Sequence, residues 1–181
     1  MPHFTIHSLK SAPVGSKNTL RKEVKKHGAV INLFGILAES PQTLQAYLHL
    51  YNLLSESSLN NEEKTVIWQV LNIEHDCTYC VPAHTALANV MGVHHSLTAA
   101  LRNQHPLPTK QLEALKDFTL EMVRTRGRVD DVQIERFLNA GFTQQNVLEI
   151  ILALSHKVIS NYTNHVAYTP LDPMFVHHKW P

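Results

Sequence analysis

LNNEEKTVIWQVLNIEHDCTYCVPAH, running from Leu59 to His84, contains both a helix signal and a chemical signal. Asn60 reads as a helix cap, and Glu63 follows three residues on, as in a capping box. Val66, Ile67, Val70 and Ile73 then recur with the 3.6-residue period of an amphipathic helix. The stretch ends on the only two cysteines of the chain, Cys77 and Cys80, in a C-x-x-C, with His84 four residues beyond the second.

Outward from this stretch the apolar spacing stays helical. Ser40-Pro41 reads as a cap with proline at the first helical position, opening a run through Leu44, Tyr47, Leu48, Tyr51 and Leu54. A helix is expected from about Thr109 to Arg124, with Leu112, Leu115, Phe118 and Met122 facing inward and Gly127 beyond its end. Gly141 punctuates a turn, and Thr143 to about Asn161 is a long apolar segment. Strand-like alternation is nearly absent, so the expected fold class is all-α. Residues 1–16 read as an irregular arm and residues 17–181 as a single helical domain. In the C-terminal tail, Pro170 and Pro173 forbid regular helix. Met174, Phe175, Val176 and Trp180 make that tail apolar enough to pack on its own domain or on a neighbouring subunit.

With 181 residues, 44% hydrophobic and 17% charged, the chain has the balance of an ordinary globular domain. A formal charge of +1 gives no long-range attraction to nucleic acid or membrane. The cluster Arg21-Lys22 to Lys25-Lys26 reads as a solvated helix face. No stretch approaches the ~18 consecutive apolar residues of a membrane span. The N-terminus shows no charged region followed by an apolar one. A cytoplasmic location is the resulting expectation, and there a lone C-x-x-C points to catalysis or metal binding rather than a structural disulfide.

The chemistry of a dithiol needs a thiolate, and an unassisted thiol has a pKa near ~8.5. His84 is four residues beyond Cys80, which on a helix brings its imidazole toward that sulfur. If one helix held the whole motif, Cys77, Cys80 and His84 would share an arc of roughly 60°. Two helix starts are open: Asp76 as a cap, or Pro82 near the first helical position with the cysteines just before it. Either puts the sulfurs near a helix N-terminus, whose partial positive charge favours thiolate. The spacing favours Cys80 as nucleophile and Cys77 as the partner that traps its sulfenic acid as a disulfide. A carboxylate is wanted to orient the imidazole, and Glu74 and Glu63 are the candidates. A tetrahedral zinc on the cysteines and His84, with His75, His94 or His95 as fourth ligand, uses the same residues. It lacks a second ligand pair at zinc-finger distance. No cofactor and no resident metal are expected.

Cys77-Thr78-Tyr79-Cys80-Val81-Pro82-Ala83-His84 resembles the C-x-x-C-x-x-x-H signature of the AhpD-like alkylhydroperoxidases, in the carboxymuconolactone decarboxylase superfamily. Asn32-Leu33-Phe34, Leu37 to Pro41, and Ala46-Tyr47-Leu48 are similar to the N-terminal region of its uncharacterised peroxidase-related branch. Asn161 to His165 and Thr169 to Asp172 resemble that branch's C-terminal end. The resemblance implies a helical fold built around a hairpin carrying the C-x-x-C, in a homo-oligomer (trimer or hexamer). It also implies peroxidase activity on alkyl hydroperoxides, with Cys80 attacked by peroxide, Cys77 resolving and His84 in a relay. An external dithiol, in the best-studied members a lipoyl group on a protein, resets the pair. The chain departs from the pattern at Thr65, which stands where those proteins carry a relay glutamate; Glu74 is the expected substitute. The alternative on the same fold is a general dithiol–disulfide oxidoreductase or redox sensor.

Overall fold

Asn60 caps a central helix in the computed structural model, which describes residues 3–181; residues 1 and 2 of the expected arm lie outside it. The Asn60 side chain accepts from the Glu63 N–H, and the Glu63 carboxylate accepts from the Asn60 N–H, closing the expected capping box. In chain order the helices are α1 (Val14–His27), α2 (Asn32–Leu37), α3 (Pro41–Ser55), α4 (Asn61–Glu74), α5 (Cys80–Val90), α6 (His95–Arg102), α7 (Lys110–Arg124), α8 (Asp131–Asn139) and α9 (Gln144–Ala167), followed by a 3-10 turn at Pro173–His178. Among the described residues there is no strand, and the all-α expectation holds.

Ser40 and Thr109 cap α3 and α7 as their sequences require, each accepting from a backbone N–H three residues on. Helix α9 runs six residues past the expected end at Asn161, to Ala167. The expected arm is shorter than drawn, because α1 starts at Val14 rather than after residue 16. What remains of it is fastened to α2, where the His7 N–H donates to the Gly35 carbonyl at 3.0 Å. A Cβ at Gly35 would lie 2.9 Å from the His7 oxygen, so that approach needs glycine.

Helix α4 is the axis of the molecule. It packs against α5, α6, α7 and α9, and Val66, Ile67, Val70 and Leu71 are all buried along it. These join Leu97, Leu101, Leu115, Phe118, Phe137 and Ile150 in the larger core. A second core gathers Leu20, Leu33, Phe34, Leu44 and Tyr47 from α1, α2 and α3 around Cys77, Tyr79 and Cys80. The sulfurs therefore sit inside a packed apolar cluster rather than on a surface. The C-terminal tail packs on its own domain, with Phe175 edge-on to Tyr79 at 6.3 Å between ring centroids. Among the described residues no helix is long and apolar enough to cross a membrane.

Candidate active site

The turn from α4 to α5 settles where the cysteines lie. Asp76 adopts a left-handed backbone (φ 50°), a conformation aspartate tolerates better than most residues, and it does not cap a helix. Cys77 is held in the turn by its N–H donating to the Asn72 carbonyl at 2.9 Å, and Cys80 is the first residue of α5. Pro82 thus falls in the first turn of α5, the second of the two readings, and the single-helix arc does not form.

Buried amides pin this turn. Asn72 donates to the Gln69 side-chain oxygen at 3.1 Å and to the Cys80 carbonyl at 3.3 Å. Asn161 donates to Asn72 at 3.1 Å, and its oxygen meets the His75 ring at 2.9 Å. Buried amides that find one another in this way fix one geometry, since an unpaired one costs about 1–3 kcal/mol.

Both thiols are free and buried, at 0% and 2% exposure, and the Cys80 N–H donates to the Cys77 sulfur at 3.3 Å. Helix α9 supplies what surrounds Cys80. The Asn164 amide donates to its sulfur at 3.2 Å, and Lys157, fully buried on the same helix, adds a positive charge that acts on both sulfurs. Burial alone would raise the Cys80 pKa. The hydrogen bond from the Cys77 thiol, the Lys157 charge and the amides of Asn164 and Asn161 outweigh it, so Cys80 is held below the ordinary thiol value. Cys77 moves the other way, because it donates to Cys80 and is itself desolvated. The surroundings thus lower the pKa of one sulfur and raise that of the other.

His84 projects from α5 into the same space, its ring 5.0 Å from that of Trp68. Its Nε2 meets Lys157 Nζ at 2.9 Å. Burial, then the Lys157 charge, then His156 push its pKa well below that of an ordinary imidazole. Its Nδ1 is buried and has no protein partner. The spacing brings His84 into the site, yet its direct partner is a lysine that no local motif marks.

Glu74 is not brought to that partner. Its two oxygens accept from Arg124 Nε and Nη2, each at 2.8 Å, in a forked pair at the end of α4. The expected Glu74–His84 relay is thus joined by a partner the sequence did not suggest, since Arg124 on α7 holds both carboxylate oxygens. Thr65 is buried, and its hydroxyl donates to the Asn61 carbonyl of its own helix. Glu63 serves the capping box. Of the residues considered for zinc, His75 is bonded to Asn161 and His94 caps α6. Among the described residues no group of three or more His, Cys, Asp or Glu side chains could hold a metal ion.

The C-terminal tail closes over the motif. Asp172 accepts from the Tyr79 hydroxyl at 2.5 Å and from the Asn32 N–H at 3.0 Å. Arg102 donates to the carbonyls of His178 and Lys179, both at 2.9 Å. Tyr79 lies between the two cysteines in sequence, so the tail is anchored to the dithiol loop itself.

This fold is that of the alkylhydroperoxidase AhpD core. An uncharacterised peroxidase-related protein from Ralstonia eutropha JMP134, with an AhpD core, superimposes with a TM-score of 0.83 at 20% identity, covering 95% of this chain and 93% of that one. A second peroxidase-related protein, from Silicibacter sp. TM1040, gives 0.79 at 21% identity over 96% and 94%. The debrominase Bmp8, as a cysteine-to-alanine variant in complex with 2,3,4-tribromopyrrole, gives 0.78 at 14% identity over 95% and 92%. No family model matches the chain, and no curated protein does.

Proposed function

We propose that the protein is a thiol-dependent peroxidase that reduces alkyl hydroperoxides through a Cys77–Cys80 disulfide cycle. The observation that carries this reading is the setting of the pair: two free, buried cysteines, with the Asn164 amide donating to the Cys80 sulfur at 3.2 Å. Against burial, hydrogen bonds from Cys77 and Asn164 and the Lys157 charge draw the Cys80 pKa down, while that of Cys77 is raised. The Cys80 thiolate attacks the distal peroxide oxygen, leaving a sulfenic acid and an alcohol. Cys77 then condenses with the sulfenic acid, releasing water, and an external dithiol, for which a lipoyl-bearing protein is a suitable source, resets the disulfide by exchange. Structural neighbours with this fold include peroxidase-related proteins and a debrominase, so the fold supports an enzyme without choosing its electrophile.

A general dithiol–disulfide oxidoreductase would use the same sulfurs. The burial of both favours a small oxidant over a bulky protein disulfide. A homo-oligomer fits the exposed apolar residues Leu148, Ile151, Tyr162 and Val166, which follow one another along α9. The test is to add a slight excess of alkyl hydroperoxide to the reduced protein and follow free thiols and mass. Loss of both thiols with a two-dalton decrease, absent in Cys80→Ser, is expected; persistence of both thiols in the wild type refutes the reading.

A further inference from the structure

We propose that Lys157 is the general acid of peroxide reduction, its ammonium giving the departing alkoxide its proton as the bond from Cys80 sulfur to oxygen forms. The inference rests on the peroxidase reading and adds a second reacting group to it.

Lys157 comes from the middle of α9, is 0% exposed, and has its Nζ 2.9 Å from His84 Nε2. Among the described residues no carboxylate pairs with it; the negative charge it faces is that of the sulfurs. An ammonium sealed in a core without a carboxylate is held there by whatever anion it adjoins, here the Cys80 thiolate. Cleaving an O–O bond creates a strongly basic alkoxide next to sulfurs that are only 0% and 2% exposed. A proton donor at the sulfur is therefore required.

The other titratable groups around it do not qualify. His84, from α5, has its pKa pushed well down, first by burial and then by the Lys157 charge, which disfavours an imidazolium there. His156, beside it on α9, is likewise held neutral by burial. Tyr47, from α3, and Cys77 are held protonated, the first by burial and the second by its hydrogen bond to Cys80. Giving up a proton would leave either as a buried anion, whereas Lys157 would be left as a neutral amine. The α4 side chains at the motif, Trp68, Gln69 and Asn72, do not titrate. Lys157 is the cation that remains.

The proton account closes. The Cys80 thiolate takes the distal oxygen with its proton to become the sulfenic acid, and the O–O bond breaks. The alkoxide takes a proton from Lys157 and leaves as alcohol. The neutral amine then accepts the Cys77 proton, and the Cys77 thiolate attacks the sulfenic sulfur. The sulfenic oxygen leaves with that proton as water, so the disulfide state holds Lys157 as a neutral amine. Reduction by the external dithiol returns the anion and recharges the lysine.

The experiment compares wild type and Lys157→Met with cumene hydroperoxide, whose leaving group is an alkoxide, and with peroxybenzoic acid, whose leaving group is a carboxylate needing no proton. Rates of thiol loss are normalised to the thiolate fraction read from the pH profile of Cys80 alkylation. An acid role predicts a residual loss of about 100-fold or more with the hydroperoxide, and less than about 10-fold with the peroxy acid. Equal losses with the two oxidants, or none with the hydroperoxide, overturn it. A wild type inert to cumene hydroperoxide overturns the peroxidase reading instead, a result visible before any variant is made. Should Lys157→Met fail to fold, nitrogen and carbon NMR of the wild-type lysine side chain serves in its place. An ammonium in the dithiol state and an amine in the disulfide state is expected, and an ammonium in both refutes the proposal.

Discussion

Replacing both cysteines by serine removes the anion that Lys157 faces and leaves its ammonium sealed in the core. The folded protein then has two options. It can keep the charge unpaired, and breaking a buried ion pair in this way costs about 3–5 kcal/mol. Or it can release the proton, which at pH 7 costs about 4.6 kcal/mol from an unfolded lysine pKa of ~10.4 at ~1.36 kcal/mol per unit. The smaller penalty prevails, so 4.6 is a ceiling, and a destabilisation of about 3 to 4.6 kcal/mol is expected. Burial lowers the folded-state pKa of Lys157. Between that value and ~10.4 the unfolded state therefore binds one more proton than the folded one, and stability rises with pH by about 1.4 kcal/mol per unit. The penalty shrinks to about 2 kcal/mol at pH 9 and vanishes near pH 10.4. The assay is urea unfolding of Cys77→Ser/Cys80→Ser with and without Lys157→Met, at pH 7, 8 and 9. The methionine protein should be the more stable at pH 7, with the gap narrowing as pH rises. Equal stability at pH 7, or a gap that does not change with pH, would refute the argument that the thiolate is what holds this lysine in the core.

Two further perturbations separate the site from its surroundings. Glu74→Gln breaks the forked pair with Arg124, whose side chain is 58% exposed, so it should cost no more than about 1 kcal/mol. The pH profile of Cys80 alkylation should not move; a shift would return Glu74 to the proton chemistry. Tyr79→Phe leaves Asp172 without its short hydrogen bond while keeping the ring against Phe175. A loss of about 1.5–3 kcal/mol in urea unfolding is expected, together with faster alkylation of the reduced cysteines as the tail loosens. Unchanged alkylation would show that the tail does not limit access.

The parts of this site that the sequence reveals are those whose partners lie within a helical turn or two. Asn60 with Glu63 and Ser40 with Pro41 are local relations that spacing fixes, and spacing likewise puts His84 one turn beyond Cys80 on α5. Lys157 escapes because its meaning depends on a sulfur across the core. In the stretch Leu154-Ser155-His156-Lys157-Val158-Ile159, a lone lysine reads as one more solvated position. A signal was nevertheless present. His156 with Lys157, Ser160 with Asn161, and Asn164 repeat at helical spacing along an otherwise apolar helix, and all five are buried. A polar seam on the inner face of a helix has to be bonded to something. Glu74 is the opposite case, since its distance from Cys77 suited a relay and only the fold could bring Arg124 to it. The departure at Thr65 was legible in the sequence. That a buried lysine from another helix meets His84, with no carboxylate paired to it among the described residues, was not.

The placement of the lysine also orders the making of the protein in time. Asn164 follows Cys80 by 84 residues, which at ribosomal speeds of ~5–20 residues per second is roughly 4 to 17 s of synthesis. Throughout that interval the nascent chain carries Cys80 without Lys157 or Asn164 beside it, as an ordinary thiol, mostly protonated at neutral pH. On the proposed function, the sulfur becomes reactive only when α9 docks. On that reading, a chain whose synthesis stops short of that helix is spared premature oxidation, because the groups that lower the Cys80 pKa are translated well after the cysteine.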